Sequence, residues 1–314
     1  MVIHHLNCVS TCPLGGRLMD GHTSSVATRG ELCCHCLLIE TEQGLVLVDT
    51  GFGLEDVRHP RSRLSRFFLA LVSPDFREEM TAIRQIERLG YDPRDVRHIV
   101  LSHLDFDHAG GLSDFPQATV HMFHVESTYA HAQRTWLDRQ RFRPQQWLSA
   151  QLWQTYPSDD GERWRGFEHV RELDGLPPSI LLVPLRGHTF GHAGIAVEGS
   201  DGWLLDAADA YFYHDEMAAT PHCTPGLRFY QWLLEKDRRA RLANQARLRE
   251  LRREDKDVRI FCSHDMMEFE ALAGRPGGTL PRENPRRAPR GFSAAARPSH
   301  WNYLTRHVHT PLCG

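Results

Sequence analysis

Four short apolar runs in this sequence each end on histidine or aspartate, and no other feature constrains the fold as strongly. Val100-Leu101 leads into Ser102-His103-Leu-Asp105-Phe-Asp107-His108-Ala-Gly-Gly111. Residues 179–185 lead into Gly187-His188-Thr-Phe-Gly-His192. Trp203-Leu-Leu205 precedes Ala208-Asp209-Ala-Tyr211, and residues 258–261 precede Cys262-Ser-His264-Asp265. A brief apolar run bounded by turn residues reads as a buried strand. The chain turns at a strand end, so side chains from neighbouring strands can converge there. Imidazole and carboxylate are the ligands that Zn, Mn and Fe accept. Taken alone, the first segment also reads as a solvated Asp/His loop capping a helix. Its recurrence at four strand ends argues for a shared polynuclear metal site.

Around these segments the sequence predicts hairpins first and alternating strands and helices later. Residues 36–40 and 45–48 form a hairpin turning at Glu42-Gln43-Gly44. Residues 76–89 place Met80, Ile83, Ile86 and Leu89 on one helical face, with Gly90 ending the helix. Strands follow at 97–103 and 117–123, and the polar stretch 124–155 with scattered Trp and Leu reads as helices. A second hairpin joins 193–197 to 203–205, and the Arg/Leu-rich stretch 236–253 is a helix feeding a strand at 258–262. Such an order favours sheets covered by helices over a doubly wound parallel sheet.

Composition narrows the function classes. The 314 residues carry 37 basic and 40 acidic side chains, a formal charge of −3, which gives no electrostatic case for nucleic acid as the main partner. No apolar run approaches the roughly 18–20 residues that span a bilayer. The first basic residue is Arg17 and no apolar core follows it, so the expectation is a soluble, cytoplasmic protein without a secretory signal. Eight cysteines in such a chain do not suggest a disulfide framework. In Cys33-Cys34-His35-Cys36, adjacent strand residues point to opposite faces, so reduced, buried thiols are a better reading than a metal cluster. After Gly274 the composition shifts: residues 275–314 hold seven Arg, six Pro and the single acid Glu283, the mark of a weakly ordered tail that Trp301 and Tyr303 would anchor if anything does. The expected organisation is one domain over 1–274, with a helical insert at about 124–175, and the tail.

With these motifs in order, the sequence resembles the metallo-β-lactamase superfamily of metal-dependent hydrolases, and within it the lactonase-like branch, over roughly residues 30–272. The matching features are His103-x-Asp105-x-Asp107-His108 for His-x-His-x-Asp-His, Gly187-His188-x-x-Gly-His192, Asp209 with its small and aromatic followers, the late His264, and Asp49-Thr50-Gly51 after a hairpin. The resemblance implies a four-layer αβ/βα sandwich of two mixed sheets flanked by helices. It further implies two divalent ions, Zn being the expected metal. His103, Asp105 and His188 would hold the first; Asp107, His108 and His264 the second; Asp209 would bridge them. Asp49 would orient a ligand imidazole, His192 would support rather than ligate, Asp206 would leave the bridge to Asp209, and Asp265 would cap a helix.

Two positions depart from the family pattern. Asp105 stands where most members have His, adding an oxygen ligand and a negative charge, which admits Mn or Fe. Ala208 stands where Gly usually precedes the bridging Asp. The implied mechanism is attack by a metal-bridging hydroxide on a lactone or other ester, a small-molecule substrate. Asp107 and Tyr211 are candidate catalytic groups, Tyr211 or Tyr213 as a donor to the oxyanion, with a packed aromatic as the alternative. Arg58 to Arg66 and the apolar run 67–72 are open between a lid, a homodimer contact and a core helix. Trp136, Trp147 and Trp153 either shape an acyl pocket or pack the insert. Rival classes are a di-iron oxidoreductase of the same fold, disfavoured by the lack of a flavin domain or phosphate loop, and a non-catalytic binding protein that keeps the site.

Overall fold

Alternating apolar residues build two sheets that are buried on both faces. In the computed structural model, which describes residues 1–148 and 152–274, twelve strands form two six-stranded sheets. The first has the order β1 (Ile3–Asn7), β2 (His35–Thr41), β3 (Gly44–Val48), β4 (Val96–Val100), β5 (Thr119–Phe123), β6 (Leu152–Tyr156). The second runs β12 (Val258–Phe261), β11 (Gly202–Asp206), β10 (Ala193–Gly199), β9 (Ile180–Pro184), β8 (Phe167–Glu172), β7 (Glu162–Trp164). Both are mixed: β1 to β3 pair antiparallel and β3 to β6 parallel, while β7 to β11 pair antiparallel and β11 with β12 parallel.

Period-2 alternation divides the core into layers. Leu37, Ile39, Val46, Val48 and Val100 meet Ile180, Leu182, Ile195, Val197 and Phe261 between the sheets. On the outer face of the first sheet, Leu38, Leu47, Ile99, Val120 and Met122 pack on Ala82, Ile86 and Trp147. On the outer face of the second, Val183, Ala196, Leu205 and Ile260 pack on Leu248 and Leu251 of the helix Arg238–Glu254. This is the expected helix–sheet–sheet–helix sandwich.

The helix expected at 76–89 consists of a 3₁₀ turn, Glu78–Met80, and the helix Ala82–Arg88. The insert differs from expectation. Helices His124–Ala132, Trp136–Arg141 and Pro144–Trp147 occupy its first part, but β6, β7 and β8 lie within 152–172 and complete both sheets. The helical assignment at about 124–175 is therefore corrected. These strands sit at the far side of each sheet and are half-solvated, so their apolar alternation is faint. The expected tail, 275–314, lies outside the described residues. Among the described residues no helix is long and apolar enough to cross a membrane.

Parallel pairing brings the carboxyl ends of β3 and β4 to one edge. In the second sheet β9, β11 and β12 run in one sense, so their carboxyl ends share an edge as well. The four His/Asp segments lie at these edges.

Candidate metal centre

The loop after β4 is fixed from below before any ligand is counted. The Thr50 amide and hydroxyl both donate to the His108 carbonyl at 2.8 Å, and Gly51 bridges Ala109. Gly51 has φ +61, and a Cβ there would stand 2.2 Å from the Cys8 Cβ, so only glycine allows this approach. Asp49 accepts from the Ser102 amide (2.8 Å), the Ser102 hydroxyl (2.6 Å) and His108 Nδ1 (2.7 Å). Because Ser102 Oγ gives its proton to Asp49, it accepts from His103 Nδ1 at 2.8 Å. His264 Nδ1 donates to the Cys33 carbonyl at 2.7 Å. Three imidazoles are thereby set with the Nε2 lone pair turned inward, as ligand imidazoles require.

Two groups of ligand atoms result. His103, Asp105, His188 and Asp209 form the first; His108, Asp209 and His264 the second, with Asp107 and Cys34 beside His264. Asp209 Oδ2 lies 3.7 Å from His103 Nε2 and 3.3 Å from His188 Nε2. Its Oδ1 lies 3.3 Å from His108 Nε2 and 3.2 Å from His264 Nε2. Asp107 Oδ2 is 3.8 Å from His264 Nε2. His103 Nε2, His108 Nε2 and Asp209 Oδ1 are buried without a hydrogen-bond partner. Orphaned buried polar atoms are costly, and a divalent ion on each side of Asp209 would satisfy them. The donor set, imidazole nitrogen and carboxylate oxygen, fits Zn, Mn or Fe.

Electrostatics agree. Burial alone would raise the Asp209 carboxyl, but the His264, His108 and His188 imidazoles outweigh it and hold it well below the usual range. Asp105 is likewise low despite burial, chiefly through Arg141. Asp107 is raised by burial.

The seven candidate ligands, His103, Asp105, Asp107, His108, His188, Asp209 and His264, thus come together, with Asp49 behind His108. His192 donates from Nδ1 to the Leu185 carbonyl (2.9 Å) and accepts the Asp209 amide at Nε2 (3.0 Å), so it supports Asp209 and has no lone pair to give. Asp206 accepts the Ala208 amide at 2.9 Å, and Asp265 caps the helix Met266–Ala273. Ala208 sits at φ +44, the left-handed region, which explains a preference for glycine there.

Tyr211 is not brought to the cluster. Its buried hydroxyl donates to both Glu268 oxygens at 3.0 Å, so the oxyanion role expected for it is corrected to packing at a strand end. Tyr213 packs against His214 and His222 instead. The thiol reading of Cys33, Cys34 and Cys36 holds, since all three are buried and free, but Cys34 borders the second group. Burial pushes its thiol up to about 12. Two further residues escaped the sequence reading. Glu126 joins the two ligand loops, accepting from the Leu104 amide (3.0 Å), the Thr189 hydroxyl (2.6 Å) and the Gly191 amide (3.1 Å). Arg141 binds Asp105 through two nitrogens. No local pattern marks either one: Arg141 is one of several arginines between residues 134 and 143.

A cavity of about 170 Å³ opens beside the second group. Leu32, Leu71, Val72, Phe229 and Leu233 line it, Asp107 and His264 form its polar end, and Tyr230 stands beside them. Leu71 and Val72 belong to the helix Arg66–Val72, so the apolar run 67–72 walls the cavity, while Arg63 pairs with buried Asp56 at 3.0 Å. Trp136, Trp147 and Trp153 do not line it; Trp147 is core.

The two-sheet sandwich with a His/Asp cluster at its strand edges defines a class, and residues 29–264 match the metallo-β-lactamase superfamily. The chain belongs to that superfamily, as a lactonase-like metal-dependent hydrolase. It is 41% identical over 265 residues to a probable metallo-hydrolase of Mycobacterium tuberculosis, covering 84% of this chain and 80% of the relative. It is 29% identical over 257 residues to an N-acyl homoserine lactonase of a Bacillus species, covering 80% and 90%. Among solved structures, an N-acyl homoserine lactone hydrolase with N-hexanoyl-L-homoserine bound at its catalytic metal centre aligns with a TM-score of 0.64 and 23% identity, over 85% of this chain and 94% of the other. A dizinc quorum-quenching lactonase aligns with a TM-score of 0.56 and 16% identity, over 84% and 87%. At those identities the structural likeness speaks for the fold.

Proposed function

We propose that this protein hydrolyses the ester bond of a lactone carrying an apolar acyl chain, using two divalent ions of which zinc is the expected one. The observation that carries the reading is the two groups of ligand atoms joined by Asp209, in which His103 Nε2, His108 Nε2 and Asp209 Oδ1 have no partner, the second group lying at the polar end of an apolar cavity. His103, Asp105 and His188 would hold one ion, Asp107, His108 and His264 the other, and Asp209 both. Ions so held supply a Lewis acid for the carbonyl oxygen and make water acidic enough to attack near neutral pH.

The chain's own groups do the rest. The cavity takes the acyl chain and excludes water from it, aligning the ester with the polar end. Asp107, facing the cavity, is placed to take the proton that the attacking water gives up and to pass it to the leaving alkoxide. Tyr230, on the same wall, is placed to donate to the substrate carbonyl. The bond to Glu268 keeps Tyr211 from that part.

The test is a substrate panel, with N-acyl homoserine lactones of short and long chain, an aryl ester and a phosphotriester, given to chelator-stripped and metal-restored protein. Lactone turnover that appears only on restoration, and rises with acyl length, is expected. Metal-replete protein that leaves every lactone intact would overturn the proposal. Asp107→Ala should lose turnover and keep the fold.

A further inference from the structure

Arg141 is the one cation directed into the cluster among the described hydrogen bonds and ion pairs. It ends the helix Trp136–Arg141, is fully buried, and is held from three sides. Its Nη1 donates to the Leu234 carbonyl at 2.7 Å, its guanidinium lies 5.2 Å from the Phe142 ring centroid, and the Phe142 backbone bridges that of Asp105. From this seat Nε donates to Asp105 Oδ1 at 2.6 Å and Nη2 to Asp105 Oδ2; Nη2 also stands 2.8 Å from His188 Nε2, which lies 2.9 Å from Asp105 Oδ2, so the His188 tautomer decides between accepting from the guanidinium and donating to the carboxylate.

The same lone pairs are the ones a first ion would need. Asp105 spends both oxygens on the fork, in the bidentate geometry that makes such pairs strong. His188 has no partner at Nδ1, and its Nε2 faces the guanidinium at 2.8 Å as well as Asp105 Oδ2 at 2.9 Å and Asp209 Oδ2 at 3.3 Å. The second group carries no such competitor. His108 Nε2 has no hydrogen-bond partner, and His264 Nε2 faces the oxygens of Asp209 and Asp107. The charge added by Asp105 in place of His is thus already met by a fixed positive charge.

We propose that Arg141 makes the two half-sites unequal: the second keeps a resident divalent ion, and the first, where the guanidinium holds Asp105 and His188, takes its ion weakly and exchangeably. This rests on the metal-hydrolase reading above. For an ion to bind there, Nη2 would have to leave His188 Nε2 and Asp105 would divide its charge between the ion and Arg141, while His103 and Asp209 would remain available. Arg141 is a positioning residue for the site.

The experiment is a zinc titration of the stripped full-length chain against a competing chromophoric chelator, with bound ions counted by native mass spectrometry. Wild type should fill in two steps separated by about 10–100-fold in affinity, the scale on which partners of metal ligands act. His264→Ala should lose the tight step, and His188→Ala only the weak one. Arg141→Leu should tighten the weak step, and if that variant does not fold, the two histidine variants still assign the steps. Two steps of equal affinity in wild type, or loss of the tight step in His188→Ala, would overturn the proposal while leaving the hydrolase reading intact. A wild-type chain that binds no ion overturns both.

Discussion

Three of the inward-facing imidazoles, His103, His108 and His264, are aimed by what the other nitrogen does. Asp49 gathers His108 directly and His103 through Ser102, and the Cys33 carbonyl holds His264. The hydroxyl of Tyr211 is committed elsewhere, to a Glu268 carboxyl that burial lifts to about 7. Tyr211→Phe should therefore cost about 1 kcal/mol of stability, the worth of one hydrogen bond, with kcat unchanged. A denaturant curve paired with lactone turnover checks this, and a large kcat loss at unaltered stability would return Tyr211 to the site. The residues of the cluster were legible in the sequence because each sits at a strand end in a recognisable string. Tyr211 was not, because two residues of spacing past Asp209 do not say which way the chain leaves the 3₁₀ turn Ala208–Ala210. Arg141 lies 36 residues from Asp105 and was invisible for the same reason: only the fold brings them together.

At the scale of elements, the helix His124–Ala132 contributes one carboxylate that ties the loop after β4 to the loop after β9. Glu126→Ala leaves the Leu104 and Gly191 amides without their acceptor and should cost roughly 1–3 kcal/mol, with turnover falling because His103 and His188 lose their common anchor. Thermal unfolding and kinetics on one preparation test it; an active, fully stable variant would refute the coupling. A second carboxyl reports on packing between elements. Asp114, which accepts the Leu54 amide at 2.9 Å, is raised to about 7 by burial, with Asp56 adding to the effect. A raised carboxyl contributes stability that is present below its unfolded value, about 4, and is lost as pH rises through about 7. Asp114→Asn keeps the acceptor and drops the titration, so its stability advantage over wild type should be larger near pH 8 than near pH 5, as melting curves at the two pH values would show. The central strands were legible, being continuous and apolar. The far strands β6 to β8 were not, since Leu152–Tyr156 and Glu162–Trp164 hold a single buried position between them, Tyr156.

In the whole molecule, the fold brings two sheet edges together so that the Asp209 carboxylate faces imidazoles from both. His103 and His108 come from the first sheet, His188, Asp209 and His264 from the second, and the interior between them is apolar. On the proposed function, Asp209 joins two half-sites of a metal-dependent lactone hydrolase. The most direct measurement is metal content and lactone turnover on a single sample of Asp209→Ala beside wild type. Fewer bound ions and loss of turnover are expected in Asp209→Ala, with the fold retained by circular dichroism; wild-type metal content together with wild-type turnover would overturn the role proposed for Asp209.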